Sequence, residues 1–100
     1  MKNCLLLGRK GIIVDDVKNS LMVKGVNLFG GSNLQDVKDA FATDSIDIVI
    51  MGAGIDIKDR LEIIRYIFDT SKTTTVHMKD RDSGPAGMLP FVNGVLRGLI

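Results

Sequence analysis

Short apolar runs alternate along the chain with segments in which apolar residues recur at helical spacing. The runs predict four strands, because a strand covered on both faces of a parallel sheet need not alternate with polar residues. These strands are predicted over residues 4–7, 26–29, 46–51 and 73–78. The first three end at glycines, and no linker or internal repeat interrupts the pattern.

The segments between and after the strands predict four helices, since apolar residues three and four positions apart share one helix face. The predicted buried faces are Ile13, Val14, Val17 and Leu21; Leu34, Val37, Ala40 and Phe41; Ile57, Leu61, Ile64 and Phe68, flanked by Ile63 and Ile67; and Phe91, Val92, Val95, Leu96, Leu99 and Ile100. Gly25 stands where a left-handed C-terminal cap belongs. Ser32 and Gln35 predict a capping box, and Asp56 predicts the N-cap of the third helix. Pro90 marks the first turn of the last helix.

Strands that alternate with helices of this length form a parallel sheet with helical crossovers. A chain of 100 residues has the size of one domain, so residues 1–100 are predicted to form a single α/β unit. The predicted architecture is a small doubly wound, four-stranded parallel sheet in the order 2-1-3-4 with helices on both faces. This is the Rossmann-like or flavodoxin-like arrangement.

Composition and charge exclude several classes of function. Thirteen basic residues balance 12 acidic ones to a net charge of +1, and they are evenly spread, so we expect no nucleic-acid surface. No apolar stretch approaches the ~20 residues of a membrane span, and residues 4–7 are too short for a signal peptide. The single Cys4 cannot form an intramolecular disulfide. Together with the two preceding observations, this favours a cytoplasmic protein. A single His77 cannot anchor a multi-histidine metal site.

The ends of the predicted strands supply the candidate binding site. Ligands of open parallel sheets bind at the carboxyl ends of the strands, here between strands one and three, and glycines there let the backbone approach a ligand closely. The candidate ligand-binding residues are Gly8, Arg9, Lys10, Gly11, Gly30, Gly31, Ser32, Gly52, Ala53, Gly54, Lys79 and Arg81. Helix N-termini and basic side chains at this edge would attract a phosphate or another anion. The alternative to ligand binding, which stays open, is that these glycines are needed only for the conformation of the turns.

The first of these turns, with Gly8 and Gly11 spaced as G-x-x-G, resembles a Rossmann-type dinucleotide site over residues 4–26. The Rossmann fingerprint has a further glycine and an acidic residue about 20 positions on, which holds the ribose. Residues 26–30 contain no acid. The resemblance therefore implies a nucleotide or another phosphate-bearing small molecule as ligand, and not a full NAD site.

A second resemblance is to the receiver domains of response regulators. It is carried by Ser-Ile-Asp-Ile-Val-Ile-Met at residues 45–51, Leu-Glu-Ile-Ile-Arg at 61–65 and Thr-Val-His-Met at 75–78. At the position of the receiver's phosphoacceptor aspartate this chain has Gly52, which has no carboxylate. The resemblance implies a shortened flavodoxin-like domain that cannot be phosphorylated there.

The side chains that could perform catalysis have simpler structural interpretations. Histidine is a common acid–base catalyst, but no Ser or Cys stands at a recognisable spacing from His77. Cys4 begins a buried strand, where a thiol is usually inert. Asp80 and Asp82 flank Arg81 in a polar loop and are expected to form local ion pairs. The sequence therefore does not support enzymatic activity.

Two hypotheses of function remain open. The first is a non-catalytic sensor or accessory domain that binds a small anionic ligand at the glycine-rich crevice. The second is an interaction domain that acts as a homodimer through the last helix, where Gly94 and Gly98 leave a smooth groove opposite the apolar face. A four-stranded sheet also leaves two open edges, which association can cover.

Overall fold

The computed structural model describes residues 1–8, 17, 24–52, 54–80 and 87–99. In this part of the chain the elements are β1 (Lys2–Leu7), β2 (Val26–Gly31), α1 (Leu34–Thr43), β3 (Ile48–Met51), α2 (Ile57–Thr70), β4 (Thr75–Met78) and α3 (Met88–Leu99). The helix predicted between the first two strands lies outside the described residues, apart from the helical Val17. Gly25 has the left-handed backbone predicted for it, with φ +84°. The last helix begins two residues before Pro90, which falls in its first turn as predicted.

All four strands are parallel, and their order is β2-β1-β3-β4, as predicted. β1 is therefore central, and Leu7 at its end pairs with Gly31 of β2 and Met51 of β3. β3 begins two residues later than predicted. There the Asp47 side chain takes the Asn3 N–H at 2.8 Å, so a carboxylate replaces the backbone acceptor at the start of the ladder.

Two apolar cores lie on opposite faces of the sheet, because successive strand residues point to opposite sides. Leu5 and Leu7 face α1 and α2, in a core that also contains Val37, Ile46, Val49, Met51, Ile55, Ile63 and Ile67. Cys4 and Leu6 face α3, in a core that also contains Ile48, Ile50, Val92 and Leu96. Helices thus cover both faces, which confirms the doubly wound, flavodoxin-like α/β architecture. No helix in the described ranges is long and apolar enough to cross a membrane.

The buried face of α2 differs from the predicted one. Ile63 and Ile67 are fully buried and Ile64 is half-buried, whereas Ile57, Leu61 and Phe68 are 62%, 58% and 61% exposed. The cause lies in α1: Phe41 packs edge-on against Tyr66 with ring centroids 5.9 Å apart, and the Lys38 ammonium lies 5.7 Å from the Tyr66 ring centre. With Tyr66 turned toward α1, the two isoleucines face the sheet. The remaining apolar stripe then faces outward.

The apolar residues of α3 are used within the chain. Val92 and Leu96 are buried, and Met88, Phe91, Val95 and Leu99 pack around them against the sheet. Gly94 and Gly98 lie on the exposed side, and a Cβ added at either would meet nothing within 4 Å. The two glycines therefore lie away from the buried residues of this helix, as their spacing predicts.

Candidate functional site

The ends of β1, β3 and β4 lie side by side at the carboxyl edge of the sheet. Gly52 N–H donates to the Leu7 carbonyl at 2.7 Å, and Lys79 N–H donates to the Met51 carbonyl at 2.9 Å. The residues that follow the three strands, Gly8, Gly52 and Lys79, are thereby brought together. The structure thus places at one edge three residues that are far apart in the sequence.

Gly52 allows this close approach of two backbones. A Cβ at Gly52 would lie 3.3 Å from the Leu7 carbonyl oxygen and 3.8 Å from the Gly8 Cα. The N–H groups of Gly8 and Gly52 are already used, since the first donates to the Gly31 carbonyl at 3.1 Å and the second to Leu7. The two glycines therefore let the backbones lie close together at this edge, and their N–H groups form hydrogen bonds within the sheet.

The turn after β2 is organised around Asp36 and differs from the predicted capping box. Asn33 is the N-cap of α1, and its Oδ1 accepts the Asp36 N–H at 2.8 Å. The Asp36 carboxylate accepts the Ser32 N–H at 2.8 Å and the Ser32 hydroxyl at 3.3 Å. Gln35 instead donates to Asp39 at 3.0 Å. The capping prediction was thus wrong by one residue.

Asp36 also changes what the turn after β2 can bind. Its carboxylate occupies the positive end of the helix dipole and takes both donors of Ser32, the groups predicted to serve an anion. Its side chain lies over Gly31, where an added Cβ would come within 2.8 Å of the Asp36 Cβ. Gly31 is a glycine because Asp36 packs on it. The spacing Asn33-x-x-Asp36 is the signal by which the sequence could have revealed this acidic cap.

Lys79 is a buried charged residue at the centre of the carboxyl edge of the sheet. It is only 5% exposed, and its ammonium Nζ donates to the Asp80 carbonyl at 3.0 Å. Within the described part of the chain no carboxylate pairs with this ammonium. The sequence predicted Lys79 as a ligand contact from a polar loop, but did not predict its burial. Met78, at the end of β4, pairs with Met51, and the next residue, Lys79, follows it into the interior. The burial of Lys79 therefore depends on the register between β3 and β4.

The other candidate residues lie away from this centre or outside the described ranges. Gly30 is exposed in β2, and Gly54 is exposed in the turn after β3. The remaining candidates lie outside the described residues and stay predictions: Arg9, Lys10, Gly11, Ala53 and Arg81. The structure therefore brings together Gly8, Gly52 and Lys79, and it leaves Ser32 engaged with its own helix.

The side chains weighed for catalysis have structural partners. His77 is half-buried, and its Nε2 lies 3.0 Å from the Thr75 hydroxyl. Cys4 is completely buried, and loss of hydration raises the pKa of its thiol from 9.0 to about 12. A protonated thiol at neutral pH is a poor nucleophile. Across the described ranges no group of three or more His, Cys, Asp or Glu residues could hold a metal ion.

The fold and the edge define the chain as a small doubly wound α/β domain with a buried cation at the carboxyl ends of its strands. No family model, curated protein or solved structure matches the chain.

Proposed function

We propose that this domain binds a small anionic ligand, such as a phosphate-bearing metabolite or nucleotide, at the carboxyl ends of β1, β3 and β4. It would act as a non-catalytic sensor or accessory domain, in the cytoplasm as its lone cysteine suggests. The observation that carries the proposal is the buried ammonium of Lys79 beside the glycine ends of β1 and β3. Its likeness to a receiver domain is part of the same proposal, with ligand binding in place of phosphorylation at Gly52.

The energetics of Lys79 favour an anion as its missing partner. Removing an ammonium from water costs several kcal/mol, and one hydrogen bond to a neutral carbonyl returns only part of that cost. A phosphate oxygen would supply both a charge and acceptors for the remaining ammonium protons. Arg9 and Lys10, which follow Gly8 directly, would add two further charges at the same edge.

The first test is thermal unfolding with inorganic phosphate, pyrophosphate, adenine nucleotides and sugar phosphates. A ligand at 100 times its dissociation constant is expected to stabilise the folded chain by about 2.7 kcal/mol. Lys79→Met should abolish that stabilisation, whereas Lys72→Met, which removes an exposed lysine, should keep it. The double variant Arg9→Ala, Lys10→Ala should weaken it.

The ligand-free stability of the same variants separates a binding role from a structural one. If Lys79 serves a ligand, Lys79→Met should unfold at the same temperature as the parent or above it, because an apolar side chain replaces a buried lysine that no described carboxylate pairs with. A large loss of stability would assign Lys79 to the fold. If no compound in the panel raises the unfolding temperature and the basic variants change nothing, the proposal is wrong.

A second candidate function is that of an interaction domain acting as a homodimer. It is favoured by exposed apolar side chains on one side of the molecule, those of Ile57, Leu61, Phe68 and Met78. Isolated apolar residues are common on surfaces, but a contiguous patch marks an interaction site. Sedimentation velocity at micromolar concentrations tests it, with a dimer as the expected species.

A further inference from the structure

Three exposed side chains of α2 form one stripe that faces the open side of the sheet. At 100° per residue Ile57, Leu61 and Phe68 lie within about 40° of one another. The stripe is about 120° around the helix from the two buried isoleucines, and Tyr66 lies on the other side of them. Because Tyr66 faces α1, the stripe faces away from α1 and toward β4, the last strand of the sheet.

The edge of β4 continues this apolar surface. Met51 pairs with Met78, so Met78 lies on the α2 side of the sheet, and it is 46% exposed. The N–H groups of Thr75 and Lys79 donate inward to β3, and alternate residues of a strand point their backbone groups to opposite sides. The backbone groups of Val76 and Met78 therefore point outward along the open edge. We call Ile57, Leu61, Phe68 and Met78 with this edge the apolar flank.

β4 is a four-residue strand at the end of the sheet, and no element in the described part of the chain pairs with its outer side. Its sequence, Thr-Val-His-Met, contains no proline, lysine or glycine, and its backbone offers a ready template for another strand. The four exposed side chains present on the order of 400 Å², the size of the largest apolar patch on a typical monomer, which often serves a function. That is about half of the ~800 Å² that each partner of a standard interface buries, before the strand backbone and the charged rim are added.

We propose that the apolar flank is the surface through which two copies of this chain associate. β4 of one copy pairs antiparallel with β4 of the other about a two-fold axis, and the two α2 helices pack side by side. This inference rests on the second candidate function and specifies its interface. A symmetric pair covers the edge and the stripe at once, because both lie on the same side of each copy.

The dimensions of a continuous sheet agree with this pairing. Strands are spaced about 4.8 Å apart, and α2 is the crossover helix between β3 and β4. A helix above the midpoint of those strands is about 4.8 Å from the two-fold axis, so the two helices would lie about 10 Å apart. Packed helices are separated by 8–10 Å. With the two-fold axis near the middle of α2, Ile57 would come opposite Phe68 of the second copy, and Leu61 opposite Ile64.

The charges beside the stripe favour a second copy over an unrelated partner. Lys58, Glu62, Arg65 and Asp69 follow one another along the exposed side of α2 with alternating sign. Reversing the helix reverses the order of signs, so Lys58 meets Asp69 of the other copy and Glu62 meets Arg65. The charge pairs are symmetric about a point one residue further along α2 than the apolar pairs. The long side chains of Lys58 and Arg65 can span this offset. The row is thus complementary to itself.

Sedimentation velocity at a series of protein concentrations tests the interface. The parent chain is expected to dimerise at micromolar concentrations, and Leu61→Lys or Met78→Lys should raise the dissociation constant at least tenfold. Both side chains are substantially exposed, so these variants should still fold, which far-UV circular dichroism checks. Lys58→Glu should weaken the dimer, and adding Asp69→Lys should restore it.

Gly94→Leu is the matched control, because it places a large side chain on the exposed face of α3 and should leave the dimer intact. A dimer weakened by Gly94→Leu and unaffected by the flank variants would overturn this interface and return it to the last helix. The homodimer function would survive that result. A parent chain that stays monomeric at every concentration, even if the flank binds another protein, would overturn both.

Discussion

Cys4 and Lys79 are both buried, but their side chains fit their surroundings differently. The neutral thiol of Cys4 lies in the apolar core against α3, where it behaves as a small hydrophobic group. The Lys79 ammonium lies at the carboxyl edge, and within the described part of the chain its hydrogen-bond partner is the Asp80 carbonyl. One residue is therefore explained by packing alone. The other is the residue for which we propose a ligand.

The raised pKa of Cys4 makes stability depend on pH in the alkaline range. The thiol titrates at about 12 in the folded chain and near 9.0 when exposed, so the unfolded chain loses its proton first. The stabilising contribution is complete below pH 9 and declines as the pH rises toward 12, by about 1.4 kcal/mol per unit. Urea unfolding at pH 8 and pH 10 should show the parent losing more stability than Cys4→Ala. Equal losses would contradict the pKa shift.

At the scale of the element, α2 shows that one helical sequence can contain two overlapping apolar faces. The face predicted from spacing consists of Ile57, Leu61, Ile64 and Phe68, flanked by Ile63 and Ile67, whereas the buried face is centred on the two flanking isoleucines. Both satisfy the helical period, so periodicity cannot choose between them. The contact of Tyr66 with Phe41 on the neighbouring helix makes the choice.

Alanine substitutions on the two faces of α2 should therefore have very different effects. Ile63→Ala removes a fully buried side chain and should lower the free energy of unfolding by about 2–5 kcal/mol. Leu61→Ala should change it by less than about 0.5 kcal/mol. Chemical denaturation at the lowest practicable protein concentration checks this, since dilution removes any contribution of a dimer. A larger loss for Leu61→Ala would restore the face predicted from the sequence.

For the molecule as a whole, one sheet joins two separate cores. α1 and α2 cover one face and α3 covers the other, so the central strand β1 contributes alternate residues to both. The carboxyl edge, where the ligand is proposed, and the flank of β4, where the second copy is proposed, are different surfaces. The two proposed functions can therefore coexist and be tested separately.

Because the cores share the sheet, they should unfold together although their side chains do not touch. Ile67→Ala on one face and Leu96→Ala on the other should each cost about 2–5 kcal/mol. The double variant should lose the sum to within about 0.5 kcal/mol, since the sites are far apart. Secondary structure and Tyr66 fluorescence should report one common transition. Two separated transitions would show that the faces unfold independently.

Much of the fold was predictable from the sequence, since strands and crossover helices are local patterns. Continuous apolar runs such as residues 48–50 identify buried strands, and the intervening segments are long enough for the helical crossovers that parallel strands need. The left-handed Gly25 was predictable for the same reason, since a positive φ is a local property. Within the candidate site, the sequence indicated Gly8, Gly52 and Lys79 because ligand sites of such sheets lie at the strand ends.

What the sequence could not determine are the properties that depend on contacts between distant residues. The orientation of α2 depends on its packing against α1, and the burial of Lys79 depends on the pairing of β4 with β3. Asp36 takes the donors of Ser32 because the turn folds back over Gly31. Local spacing limits which side chains can share a face. The mutual packing of helices and strands decides which of those faces is buried, which charge loses its water and which surface stays open to a partner.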